Sequence, residues 1–129
     1  MLTTALLVDD EEDIRTIGRM SLENLGGVQV SSAENGKHCL QVVRSKVDAG
    51  APPDVILLDV MMPDMDGPTT LKELQRTPDF AGIPVIFMTA KVLRHEVEEY
   101  MRLGACGVIQ KPFDPVTLTD EVRRILAER

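Results

Sequence analysis

The chain has 129 residues, the size of a single domain. It is 43% hydrophobic and 27% charged, which excludes a disordered chain. Its 14 basic and 21 acidic residues leave a net charge of −7, which argues against nucleic acid or an anionic membrane as the main partner, since both need a basic face.

Two widely separated cysteines, Cys39 and Cys106, form no disulfide framework or paired zinc knuckle and read as small buried fillers. No apolar run approaches the ~20 residues of a spanning helix. Met1-Leu2-Thr3-Thr4 carries no basic segment ahead of an apolar stretch, so a cytoplasmic protein is the expectation.

Ala5-Leu6-Leu7-Val8 is a short apolar run closed by Asp9 and Asp10. Runs without polar alternation suit strands buried on both faces, as in a parallel sheet. Ile14, Ile17, Ser21, Leu22 and Leu25 follow at helical spacing. Val28-Gln29-Val30-Ser31 alternates, as an edge strand does, and Leu40, Val43 and Val47 form the next helical stripe. Val55-Ile56-Leu57-Leu58 is closed by Asp59, and Leu71 and Leu74 mark the helix after it. Val85-Ile86-Phe87-Met88 runs into Thr89, ahead of a stripe at Leu93, Val97 and Met101. Val108-Ile109 is a weaker fifth strand, and Leu118, Val122 and Ile125 make the last helix. Glycines and prolines fall between these segments: Gly26-Gly27, Pro52-Pro53, Pro63 to Gly67, Gly82 to Pro84, Gly104 to Gly107, and Pro112.

The order is βα five times, in one domain over 1–129. Right-handed crossovers then give an α/β fold, a doubly wound parallel sheet with helices on both faces. Working groups in such sheets sit at the carboxyl ends of the strands. Asp9, Asp10, Asp59, Thr89 and Lys111 are therefore expected to converge. Glu12 and Asp13 read as solvated acids at a helix start. Carboxylates about 4 Å apart repel by roughly 4 kcal/mol at an effective dielectric near 20, so a compensating cation is required. Hard oxygen ligands suit Mg²⁺.

Leu7-Val8-Asp9-Asp10, Leu57 to Gly67, Met88-Thr89-Ala90 and Gln110-Lys111-Pro112-Phe113 together resemble the receiver domain of two-component response regulators. The resemblance runs from about Leu2 to Leu126. It implies a flavodoxin-like (βα)5 fold with strand order 2-1-3-4-5. It implies a switch in which Asp59 accepts a phosphoryl group from a phosphohistidine of a sensor kinase or histidine phosphotransfer protein. Asp10, Asp59 and the backbone carbonyl of Met61 would hold Mg²⁺, with Asp9 acting through a metal-bound water. Thr89 and Lys111 would meet the phosphoryl oxygens. Met61 and Lys91 would stand at the positions that tune access of water to the phosphoryl group, and Lys111–Pro112 is a cis candidate. The implied protein is a phosphoacceptor that also catalyses its own slow dephosphorylation, and not a turnover enzyme. Its implied partners are the kinase and a downstream protein target, with no direct nucleic acid and no membrane; a phosphorylation-dependent dimer is within its scope.

Many receivers pass the signal through an aromatic residue on the fifth strand. Val108 stands at that position here. Phe87, Tyr100 and Phe113 are the aromatic alternatives, and their plainer reading is core packing. The readout surface is expected over the fourth helix, fifth strand and fifth helix, about 93 to 127. Three other classes fit the residues less well. A degenerate receiver that only binds partners conflicts with the presence of all five site residues. A flavodoxin-like electron carrier conflicts with Asp9 to Asp13, which would repel a flavin phosphate. A Mg²⁺-dependent phosphohydrolase with an aspartyl nucleophile needs cap elements for which this length leaves no room. The chain stops at Arg129, about where a receiver ends, so a stand-alone regulator and a piece of a longer one are both compatible with the sequence.

Overall fold

The computed structural model describes residues 1–129. Its strands are β1 (Thr4–Val8), β2 (Gln29–Ala33), β3 (Val55–Asp59), β4 (Val85–Thr89) and β5 (Gly107–Gln110). The helices are α1 (Glu12–Met20, continued by a π-helical turn at Ser21–Leu25), α2 (Gly36–Asp48), α3 (Gly67–Arg76), α4 (Arg94–Leu103) and α5 (Leu118–Glu128). All strand pairs are parallel and the order is β2-β1-β3-β4-β5. This is the flavodoxin-like (βα)5 fold expected from the sequence, with the alternating β2 on an edge.

Side chains of a strand alternate between faces, and this splits the core in two. Leu6, Val8, Ile56, Leu58, Val85 and Phe87 pack with Cys39, Val43, Leu71 and Leu74 of α2 and α3. Leu7, Val55, Leu57, Ile86, Met88 and Ile109 pack with Leu22 of the π turn and Leu118, Val122 and Ile125 of α5. The continuous apolar runs follow from burial on both sides. Asn35 and Asp66 cap α2 and α3, their side chains accepting from the backbone N–H of His38 (2.7 Å) and Thr69 (2.8 Å).

Two helical stripes differ from the expectation. On α1, Ile17 (44% exposed) and Leu25 (63%) face outward, while Gly18, Ser21 and Leu22 turn in. The inward line runs through a glycine: a Cβ on Gly18 would lie 2.6 Å from Leu7 Cδ2. The π turn has more residues per turn than an α-helix, which rotates Leu25 off the buried face. On α4, Leu93 and Met101 are exposed and no residue is fully buried; Val97, Tyr100 and Leu103 are half-buried, the latter two packed against the core. Cys39 is buried, as expected, and Cys106 is only half-buried.

Candidate functional site

Chain order reverses between β1 and β3: β2 lies on one side of β1 and all later strands on the other. A crevice opens at such a reversal, at the carboxyl ends of the strands. Asp9 follows β1 there and is fully buried; Asp59 closes β3 and is 2% exposed; Thr89 closes β4 and is buried. Asp10 is exposed beside them. One carboxylate oxygen from each of Asp9, Asp10 and Asp59 lies within 4.8 Å of the others.

Lys111 reaches this group from the turn after β5. Its Nζ donates to Asp9 Oδ2 (3.0 Å) and Asp59 Oδ1 (3.1 Å), and Glu11 Oε1 lies 3.7 Å away. The Lys111–Pro112 bond is cis, as expected. Asp59 Oδ1 also receives the Met61 N–H at 3.4 Å, whereas Asp59 Oδ2 is buried with no hydrogen-bond partner. Thr89 Oγ1 accepts the Lys91 N–H at 3.2 Å, which leaves its own proton to donate. Met61 extends its side chain into solvent.

Burial pushes the Asp59 carboxyl up to about 6, and the Asp9 charge adds to the rise; hydrogen bonding and charge from Lys111 and the Met61 N–H oppose it. For Lys111, burial lowers the tendency to hold a proton, but its bonds to Asp9 and Asp59 outweigh this and keep it above its ordinary value. The site thus holds more negative charge than its one ammonium satisfies. Hard carboxylate oxygens, one of them buried without a partner, are the donor set that a hard divalent cation takes.

The structure groups Asp9, Asp10, Asp59 and Lys111, with Thr89 at the end of the neighbouring strand, and adds two neighbours that the sequence did not single out. Arg15 Nη1 donates to the backbone carbonyl of Asp9 at 2.7 Å, pinning the turn that presents Asp9 and Asp10. Glu11 sits beside Lys111, and its N–H donates to Asp9 Oδ1 at 2.9 Å. Their place in an acidic run and on a helix surface gave no separate signal.

A parallel α/β sheet that collects three aspartates, a threonine and a lysine at its topological switch is the architecture of a receiver. Residues 5–123 match the family model described as "Response regulator receiver domain", and the chain belongs to that family. It is 32% identical over 125 residues to the response regulator SaeR of Staphylococcus aureus, covering 97% of this chain and 51% of that protein. It spans about half the length of the curated relatives it matches. Among solved structures it resembles the chemotaxis protein CheY4 of Vibrio cholerae (TM-score 0.85, 29% identity, covering 97% of this chain and 99% of that one). It also resembles the N-terminal domain of a response regulator receiver protein from Methanoculleus marisnigri (TM-score 0.76, 35% identity, each chain covered in full).

Proposed function

We propose that this receiver is a phosphorylation switch whose acceptor is Asp59. The observation that carries the reading is the state of that side chain: buried, bonded to Lys111 through one oxygen, and partnerless at the other. A carboxylate oxygen attacks the phosphorus of a phosphohistidine in line. The new O–P bond forms as the N–P bond breaks, and the electron pair leaves on the imidazole, which takes up a proton. Lys111 shifts from Asp59 Oδ1 to a phosphoryl oxygen, and Thr89 donates its hydroxyl to another. Asp10, Asp59 and the Met61 carbonyl are suited to hold Mg²⁺, with Asp9 acting through a water. When bound, the ion neutralises charge between the carboxylates and the incoming phosphoryl oxygens.

The donor is a sensor kinase or histidine phosphotransfer protein. Ile17 and Met20 of α1 and Val116 in the turn before α5 leave apolar side chains exposed on elements beside the site, surface that a docking donor can cover. The Ser21 hydroxyl donates to the Pro115 carbonyl and ties that turn to α1. The domain releases phosphate slowly by its own chemistry and is not a turnover enzyme. The output is a changed α4–β5–α5 surface, read by a protein partner in the cytoplasm. No helix is long and apolar enough to cross a membrane. Asp9 and Asp10 stand where a flavin phosphate would need donors, which disfavours the electron-carrier reading.

Incubation with acetyl phosphate and Mg²⁺ tests the proposal. Acid-labile phosphate is expected on the wild type, not on Asp59→Asn and not without a divalent ion. Equal labelling of both proteins would sink it.

A further inference from the structure

Tyr100 is the only tyrosine, and the chain has no tryptophan. Its ring meets that of Phe87 edge-on, with centroids 5.1 Å apart and planes at 61°. Phe87 is fully buried on β4, two residues before Thr89, so both side chains leave the strand on the same face. The Phe87 ring also closes against the start of α3. A Cβ on Gly67 would lie 3.1 Å from Phe87 Cε1 and 2.5 Å from the backbone oxygen of Asp59. One aromatic ring therefore links the backbone at the phosphoacceptor to α4. On β5 the register partner of Phe87 is Val108, a half-buried aliphatic residue packed against the same core.

The two ends of α4 are held unequally. At its carboxyl end, Gln75 Nε2 of α3 donates to the Leu103 carbonyl at 2.8 Å. Gly104 follows at φ 113°, a left-handed turn directly under that amide, where an added Cβ would come within 2.1 Å of Gln75 Nε2. At its amino end the helix starts from Leu93 with no side-chain cap, and Val92 and Leu93 are exposed. The loose end is thus the one that follows Thr89. Burial, with the Glu96 and Asp66 charges, holds the Tyr100 phenol above its ordinary value, in keeping with a hydroxyl near the α3 cap.

We propose that the Phe87–Tyr100 pair is the signal relay of this chain: movement of Thr89 and the β3–α3 turn toward a phosphoryl group shifts Phe87, and Tyr100 carries the shift into α4, which pivots about Gln75 and Gly104. It does the work that a β5 aromatic does in many receivers and that Val108 cannot do. Close-packed interiors respond to such displacements by changing between discrete arrangements, and α4 is the helix with least burial to resist. The inference rests on the phosphoacceptor reading of Asp59.

The test uses the 129-residue chain with Mg²⁺ and acetyl phosphate, measuring three quantities on one sample. These are acid-labile phosphate, acrylamide quenching of tyrosine emission, and hydrogen exchange in peptides covering Arg94–Leu103. Tyr100 is the sole emitter, so its signal needs no deconvolution. Phosphorylation is expected to alter the quenching and to change α4 exchange by about fivefold or more, the low end of measured couplings between sites. Tyr100→Leu and Phe87→Leu should take up phosphate yet show the same α4 exchange with and without it. Tyr100→Phe, which keeps the ring, should show the wild-type change in α4 exchange, and this variant guards against a general loss of packing. Gln75→Ala should raise α4 exchange before any phosphate is added. Phosphorylated wild type with unchanged quenching and exchange overturns the relay alone, as does a wild-type response from both leucine variants. Absence of acid-labile phosphate overturns the acceptor reading and the relay with it.

Discussion

Asp59→Asn is expected to stabilise the magnesium-free domain at neutral pH. The wild-type carboxyl sits at about 6 in the fold, against an ordinary value of 3.8. Each pH unit of that gap corresponds to about 1.4 kcal/mol between the ionised and neutral forms. Ionised Asp59 therefore costs the native state up to about 3 kcal/mol. Lys111 is already counted in this figure, because its attraction opposes the rise. Asparagine keeps the shape and removes the charge, so it should recover most of the cost.

The pH dependence follows from the direction of the shift. Below about pH 4 the carboxyl is protonated in native and unfolded chains alike, and it adds no pH dependence. Between about 4 and 6 the unfolded chain has lost the proton and the native one keeps it, so wild-type stability falls as pH rises. Above about 7 both are ionised and the penalty is constant. Urea denaturation in EDTA, from pH 4 to 8, should show the stability difference of Asp59→Asn over wild type growing through pH 6 and then levelling. Mg²⁺ at about a thousand times its Kd should then reverse the order, since at that excess a ligand adds about 4.1 kcal/mol to a state that binds it. A variant less stable than wild type at pH 7.5 in EDTA, or a difference that does not vary with pH, refutes the reasoning.

Lys111→Ala leaves Asp9 and Asp59 buried without their cation and should lower stability in EDTA by about 3 kcal/mol at pH 7.5, with Mg²⁺ narrowing the loss; equilibrium denaturation with and without the ion measures both. Gly67→Ala drives a Cβ into the Asp59 carbonyl and Val60 Cα, backbone that cannot swing away, and should cost about 1–3 kcal/mol. Gly82→Ala, which meets nothing within 4 Å, should stay within about 0.5 kcal/mol in the same melts. At the other end of the sheet Asp54 Oδ2 accepts the N–H groups of Thr3 (2.8 Å) and Thr4 (3.0 Å). Burial opposes ionisation there, but these bonds hold Asp54 below its ordinary value. Asp54→Ala should lose about 1–3 kcal/mol at neutral pH. The gap to wild type should close as pH falls below about 4, because a depressed carboxylate contributes only while ionised.

The acidic site was legible because Asp9, Asp59 and Thr89 each close an apolar run. An Asp after Leu7-Val8 or after Leu57-Leu58 has no solvated place in a doubly covered sheet, so its position alone announces chemistry. The helix faces were less legible. A count of apolar residues passes over Gly18, whose contribution is the side chain it lacks, and assumes 100° per residue through Ser21–Leu25, where the π turn advances less. On α4 the apolar positions Leu93 and Met101 face solvent, because the helix docks through Tyr100 and Leu103. Arg15 and the Phe87–Tyr100 pair depend on partners in other elements or on a backbone carbonyl, and spacing along one segment carries no trace of either.

Charge in the crevice decides which ions can serve the site. Asp9, Asp10 and Asp59 bring three negative charges and Lys111 one positive, a balance of two negative before the exposed Glu11 is added, with Asp9 and Asp59 buried and Asp10 exposed. A monovalent cation cancels half of that and holds few oxygens in fixed geometry. A divalent cation would cancel the balance of those four groups, and the lone Asp59 Oδ2 is a donor suited to it. Stabilisation of wild type over Asp59→Asn is therefore expected from Mg²⁺ or Mn²⁺ and not from NaCl at matched ionic strength, although salt screens the exposed pairs of α4 such as Arg94–Glu98 in both proteins. Thermal melts of the two proteins in the three salts decide the matter. Equal stabilisation by NaCl would mean that diffuse screening relieves the crowding and that no ion is held between the carboxylates.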